Sequence, residues 1–264
     1  MQSQALLNGR YAQKLLPWLL PITLLVVWQI FSEFGFLPTR ILPSPSDVLL
    51  TAFQLTQSGE LWLNIGISFK RAAIGFLIGG GIGFTLGMVN GLFLPAEQLL
   101  DTSVQMIRNI PHLAMIPLVI LWFGIGEEAR IFLVAIGVLF PIYINTFYGI
   151  RTVDPGLIEM GKVYGLQGWA LVSQVILPGA LPAVLVGLRF ALGIMWLTLI
   201  VAETIAANSG IGYMAMNARE FLQTDVVVLS IILYALLGKI ADVIARVLEE
   251  NLLKWHPSYS LAKK

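Results

Sequence analysis

The sequence contains no cysteine and only two histidines, His112 and His256, in 264 residues. Without thiols there is no disulfide, no thiolate metal site and no cysteine nucleophile. Two histidines so far apart in sequence do not make a metal cluster, and no metal site is expected. Charge is scarce as well. Asp, Glu, Lys and Arg make up 12% of the chain, against about 25% in a soluble domain. The net charge of +1 offers no basis for a nucleic-acid partner. Apolar residues fill the place of charge, at 57%. That is more than a soluble fold of this size can hide, so the chain reads as an all-α integral membrane protein.

Six apolar segments lie near the roughly 20 residues that cross a bilayer core: 15–34, 72–94, 106–124, 130–150, 180–206 and 226–248. Arg10 and Lys14 before the run Leu15–Phe31 imitate a signal peptide, but no small-x-small cleavage site follows. An uncleaved first helix is expected. With both termini in the cytoplasm, Arg10, Lys14, Arg108, Arg151, Lys162, Arg246, Lys254, Lys263 and Lys264 fall inside, and Arg40, Lys70, Arg71, Arg130 and Arg219 fall outside. The excess of inside cations favours that orientation. No second soluble domain is visible, so residues 1–264 read as one transmembrane domain. After the first span, L-P-T-R-I-L-P-S-P-S-D-V is proline-rich. There Ser46-Asp47 is expected to cap a short helix to about Gln57, with Val48, Leu49, Ala52 and Phe53 on one side.

Within the second span Gly75, Gly79, Gly83, Gly87 and Gly91 recur every four residues. Such a stripe lets another helix approach backbone to backbone, either as a static seat or as a face along which helices slide. The third span carries Pro111 and Pro117, which free backbone carbonyls and break the helix. Arg108, Asn109 and His112 gather at its cytoplasmic end and, with Asn145 and Thr198 in later spans, are candidates for lining a solute path. The alternative is that Arg108 snorkels to headgroups and His112 bonds a freed carbonyl. Glu203 is expected to reach water at the outer end of the fifth span, and Arg189 to snorkel. Lys239 and Asp242, three apart on one helical face, are expected to pair.

Between the fourth and fifth spans lies the weakly apolar stretch Asp154–Pro178, which must sit in water or against a soluble partner. Asp154 suits a helix cap and Pro155 a first turn. A short helix from Gly156 to Tyr164 follows, stopped by Gly165, where positive φ is tolerated. A second short helix, from about Gln167 to Ile176, is expected to end before Pro178. Such a knuckle is stiff enough to transmit a push. The same stretch holds a decoy: Gly156-x4-Gly161-Lys162 matches most of a phosphate-binding P-loop. Val163 stands where the magnesium-binding hydroxyl is required, and no buried strand precedes it. ATP binding by this chain is not expected.

Glu159-Met160-Gly161, Gly165 and Val175-Ile176-Leu177-Pro178 resemble the E-A-A-x3-G-x9-I-x-L-P signature of permeases in ATP-binding-cassette (ABC) importers. Met160-Gly161 stands for Ala-Ala and Val175 for Ile, and both keep small or apolar character. R-I-L-P-S-P at 40–45, R-N-I-P-H-L-A-M-I-P-L-V-I-L-W-F-G-I-G at 108–126 and the run at 200–228 look like the nitrate/sulfonate/taurine group of that family. The closest likeness is to permeases for aliphatic sulfonates. The resemblance implies a type I ABC-importer fold in the bacterial inner membrane, used as a homodimer. It implies two separate ATPase subunits, which carry the ATP and magnesium, and a periplasmic binding protein. It assigns residues 151–179 to ATPase docking, through Glu159, Met160, Gly161, Gly165, Ile176, Leu177 and Pro178. Taurine and nitrate remain alternative solutes. An ion-coupled secondary transporter would show internal repeats and mid-membrane acids, and a membrane enzyme a clustered nucleophile or metal site. Neither pattern is present in the sequence.

Overall fold

A bilayer offers no water to backbone N–H and C=O groups, so each apolar segment must satisfy its own. Helix is accordingly the only regular structure among the described residues, which in this computed structural model are 10–256 apart from 37 and 39. The order is α1 (Arg10–Glu33), α2 (Pro45–Gln57), α3 (Glu60–Leu92), α4 (Leu94–Arg108), a 3-10 turn (His112–Met115), α5 (Ile116–Phe123) and α6 (Glu127–Arg151). Then come α7 (Pro155–Val163), α8 (Gly168–Leu171), a π turn (Val172–Ile176), α9 (Leu177–Ala206), α10 (Ile211–Glu220) and α11 (Thr224–Leu252).

Four helical segments are long and apolar enough to cross a membrane: Glu60–Leu92, Glu127–Arg151, Gly168–Ile205 and Thr224–Leu252. A fifth exists if Leu94–Arg108 and His112–Phe123, bent by 78°, count as one broken span. The first of the six expected spans falls within α1 (Arg10–Glu33), whose stretch Trp18–Glu33 is apolar. The second begins at Glu60, twelve residues before 72, so that Lys70 and Arg71 lie within a helix and not in a loop. The terminal cations Lys263 and Lys264 lie outside the described residues.

The described chain divides into two compact units. One takes Met214–Ile232 and the chain up to Leu63; the other takes Asn64–Tyr213 and the chain from Leu233. In the first unit, the cap of α2 is Ser44, two residues earlier than expected. Its hydroxyl accepts from Asp47 N at 3.1 Å, and the Asp47 carboxylate accepts from Ser44 N at 3.2 Å, a capping box. Gln29 on α1 accepts from Ser46 N at 3.1 Å, which ties α1 to the start of α2. Thr51 donates to Asp225, at the head of α11, at 2.5 Å.

In the second unit α6 is central. The glycine stripe of α3 seats on one of its faces: a Cβ built on Gly79 would lie 2.0 Å from Ala135 O, and one on Gly83 would lie 2.4 Å from Leu139 O. Gly75, Gly87 and Gly91 meet Val134, Tyr143 and Ile150 in the same manner. The stripe is thus occupied over its full length by one partner helix. On another face α6 packs along α9, where Gly149 abuts Ala180 and Ala183. Ile116 and Val119 of α5 pack on Ala129 and Leu133 near the start of α6. At the opposite end, Glu97 of α4 pairs with Arg151, and Asp101 accepts from the Tyr143 hydroxyl at 2.6 Å. Thus the first half of α4 reaches the last half of α6 through two polar contacts, and α5 packs on the first half of α6.

Candidate functional site

At the end of α6 where Arg151 lies, the chain builds the expected knuckle. The Asp154 side chain accepts from Gly156 N at 2.8 Å, and Pro155 takes the first turn of α7. Gly165 has φ +85°, and Leu166 N donates to Gly161 O at 3.0 Å, closing the helix C-terminus. The second short helix departs from expectation. α8 does not stop before Pro178 but runs through the π turn into α9. Proline at 178 cannot donate to Gln174 O, and its ring would strike that carbonyl in a regular helix. The wider turn, with Leu177 N donating to Val172 O, carries the helix past it.

The knuckle has two faces. Gly161 is buried against Leu171, Val175 and Leu166; a Cβ there would lie 2.9 Å from Leu171 Cδ1. Ile158 and Ile176 pack on Ile150, Val153 and Ala180, the ends of α6 and α9. Leu177 and Pro178 are half-buried beside them. The other face is open: Glu159, Met160 and Gly165 are exposed, with Leu157, Val163, Tyr164 and Trp169. Val163 and Tyr164 are 86% and 80% exposed. Apolar side chains standing in water beside a carboxylate mark an interaction surface. Sequence reasoning picked out the signature residues but missed Val163, Tyr164 and Trp169, whose local periodicity shows nothing unusual. The P-loop-like glycines, Gly156 and Gly161, lie within the helix α7 and not in a loop.

The opposite end of the bundle holds a polar cluster that sequence reasoning did not assemble. Arg71 on α3 is 1% exposed and Glu203 on α9 is 1% exposed, so Glu203 does not reach water as expected. Arg71 Nη1 donates to Glu203 at 2.7 Å and to Ser209 O at 2.6 Å. Its Nε and Nη2 grip Glu127 at 2.6 and 2.5 Å, a two-pronged contact from the head of α6. Arg130 reaches the same Glu127 at 3.0 Å. Glu203 accepts further from Ser68 at 2.8 Å, Gly212 N at 3.0 Å and Tyr234 at 3.0 Å. Gly210, at φ +104°, passes so close that a Cβ would lie 2.5 Å from Glu203 Oε1. Two arginines and two glutamates cancel, and the buried charges have the partners that burial requires. The available signal was the need of any intramembrane acid for a partner. Placing Arg71 and Arg130 in loops hid it.

The candidate path residues are only partly brought together. His112, in the 3-10 turn, lies 3.0 Å from the Thr198 hydroxyl of α9. A Cβ on Gly137 of α6 would lie 2.9 Å from Thr198 Oγ1, so the glycine makes room for this pair. Asn145 donates to Pro141 O at 2.8 Å and abuts Gly187 within the α6–α9 seam. Arg108 and Asn109 are exposed at the break. Arg189 does not snorkel alone but donates to Asp242 at 2.8 Å, and Lys239 reaches the same carboxylate at 3.3 Å, the expected local pair. Among the described residues no cluster of His, Asp and Glu is disposed to hold a metal.

A helical bundle with multiple spans, a broken span and a knuckle between two of its longest helices defines a membrane transport component. The family of binding-protein-dependent transport system inner membrane components matches residues 79–254, two thirds of the chain, and the chain belongs to that family. It is a multi-pass inner-membrane subunit, without catalytic activity of its own, that works with a binding protein and an ATPase. Among its relatives, the aliphatic sulfonates transport permease protein SsuC of Escherichia coli K12 is 63% identical over 252 residues, 96% of each chain. The taurine transport system permease protein TauC of the same strain is 31% identical over 268 residues, 95% of this chain and 98% of that one. The fold is similar to a chain of the inward-facing MetNI methionine ABC transporter, with a TM-score of 0.51 and 24% identity over 72% of this chain and 94% of that one.

Proposed function

We propose that this chain is the permease subunit of an ATP-driven importer of aliphatic sulfonates, with both termini in the cytoplasm. Two copies form the translocation unit, surrounded by membrane lipid. Each copy offers residues 151–179 to one of two cytoplasmic ATPase subunits, which bind the ATP and magnesium. A periplasmic binding protein delivers the solute to the opposite face. The observation that carries the docking assignment is the two-faced knuckle, rigidly anchored to the spans on one side and openly apolar around Glu159 on the other. In this reading Glu159 and Met160 meet the ATPase, Gly165 shapes the turn, and Gly161, Ile176, Leu177 and Pro178 hold the knuckle on α9. When the ATPases close, the knuckles are drawn together. Because α8, the π turn and α9 are one continuous helix, the movement reaches the spans without a flexible joint.

Glu159→Arg reverses charge at the centre of the open face and touches nothing buried. ATP-driven uptake is expected to disappear while the protein stays inserted and dimeric, and affinity purification is expected to bring down little ATPase. Uptake at the unmutated level would remove Glu159 from the docking surface. The sulfonate assignment is supported by the 63% identity to the sulfonate permease against 31% to the taurine permease. A strain lacking only this chain should fail to grow on an alkanesulfonate as sole sulfur source, regain growth when it is restored, and grow normally on sulfate. Rescue on taurine, with no defect on alkanesulfonate, would replace the solute and keep the permease.

A further inference from the structure

We propose that Arg108, with Asn109 beside it, is a transient oxyanion site on the translocation path, where the anionic end of the solute is taken up in mid-membrane. The inference rests on the sulfonate reading above. Its first support is depth. Glu97 of α4 pairs with Arg151 at the knuckle end of α6. Arg108 lies at the far end of α4, between two residues whose contacts fix a level on α6. The contacts on α6 bracket its level. Asp101 meets Tyr143, eight residues from Arg151, or about 12 Å along α6. His112 meets Thr198 at Gly137, fourteen residues from Arg151, or about 21 Å. Arg108 therefore sits between these levels, near the middle of a bilayer core about 30 Å thick. That is farther from the knuckle end than an arginine side chain extends, so snorkelling does not satisfy it.

The second support is the missing counter-ion. The other arginines of the spans, Arg71, Arg130, Arg151, Arg189 and Arg246, each have a carboxylate within salt-bridge distance. Arg108 has none among the described residues, and its side chain is exposed. A charged group at this depth faces a water-filled path or a protein partner, not lipid tails. The third support is the local backbone. Pro111 ends α4, the chain turns by 78°, and Asn109 is left exposed at the helix C-cap. The planar guanidinium grips two oxygens of an oxyanion at once, and the Asn109 amide supplies a further donor. One unpaired cation is enough to attract an anion and too little to retain it, as a transport path requires.

The test uses the complete transporter, with its ATPase and binding protein, in proteoliposomes, and ethanesulfonate as the solute. Arg108→Gln is expected to lower uptake by about tenfold or more, the loss of one charge-assisted contact. Binding-protein-stimulated ATP hydrolysis should stay within about twofold, since one lost hydrogen bond remote from the knuckle leaves docking intact. Arg108→Lys, which keeps the charge, should restore part of the uptake. Uptake by Arg108→Gln equal to the unmutated protein overturns the inference. So does a defect that vanishes in vesicles of phosphatidylcholine alone, which would assign Arg108 to acidic lipid phosphates. The absence of cysteine allows an independent readout. In Asn109→Cys, which keeps Arg108, the anionic sulfonatoethyl methanethiosulfonate should label the thiol from water, more slowly when excess ethanesulfonate is present. No labelling would place the position against lipid tails and overturn the inference. If the unmutated complex moves no sulfonate, the solute assignment fails first. Labelling by the anionic reagent in preference to a cationic analogue then decides whether the path selects anions.

Discussion

Gly79→Leu is expected to leave almost no folded, membrane-inserted protein. Its Cβ would lie 2.0 Å from Ala135 O and 2.7 Å from Ala135 Cα. Extra methylenes in a packed core cost about 1–3 kcal/mol when side chains can turn aside. Here the obstacle is a helix backbone, which cannot turn aside, so even alanine would pry α3 from α6. Lipid tails are as apolar as the helix surfaces, so close packing and not the hydrophobic effect holds two membrane helices together. Separating them forfeits most of the attraction. Gly81→Leu, on the same helix with nothing within 4 Å, is the control and should be recovered at near-normal yield. The yield of monodisperse protein after detergent extraction, read by size-exclusion chromatography, checks both. Normal recovery of Gly79→Leu would mean that α3 does not sit on α6. The same fit bears on sliding: the stripe meets carbonyl oxygens of Ala135, Leu139 and Tyr143, one per turn. A displacement along the axis would drive Cα atoms over these oxygens, so the seat is static.

Arg71→Met should be the most damaging change of a charged residue. It leaves Glu203, 1% exposed, as a buried carboxylate without its cation. Removing one partner of a buried pair costs about 3–5 kcal/mol, a large share of a protein's net stability. Ser68, Tyr234 and Gly212 N would still donate to it, but no neutral donor cancels a buried charge. Glu127→Gln should cost far less, because that side chain is 54% exposed and can draw on water. The double variant Arg71→Met/Glu203→Gln should be less destabilised than the two single changes added together. Midpoints of thermal aggregation in detergent compare Arg71→Met, Glu203→Gln, Glu127→Gln and the double variant with the unmutated protein. Equal losses for Arg71→Met and Glu127→Gln would refute the ranking, and strict additivity would refute the pair.

The parts of this fold that were legible are those whose cause lies within a few residues. Asp154 and Pro155 start α7, Gly165 stops it, and the four-residue glycine period marks a helix seat, because cap, turn and stripe chemistry are local. The Arg71–Glu203 pair spans 132 positions, and no local pattern announces such a partner. Its absence from the sequence reading followed from starting the second span at 72, which turned a buried arginine into a loop charge. The start of the third span was misplaced for a related reason. The prolines foretold the break, but an apolar window begins at 106 and leaves out most of α4, a separate, more polar helix that carries the first half. Pro178 was read as a helix stop because proline removes a hydrogen bond. The π turn shows that a helix can widen and continue instead.

That π turn has a geometric consequence for everything beyond it. Each residue of a regular helix advances the chain by about 100° around the axis. A π turn holds one residue more than an α turn, so Val172–Ile176 sets the angular phase of α9 with respect to the knuckle. Because the wide turn takes up its extra residue locally, Thr198 and Glu203 keep the phase they would have on a regular helix one residue shorter, while Pro178 is spared the clash with Gln174 O. The knuckle and α9 therefore behave as a crank whose arm is keyed to its shaft by one surplus residue.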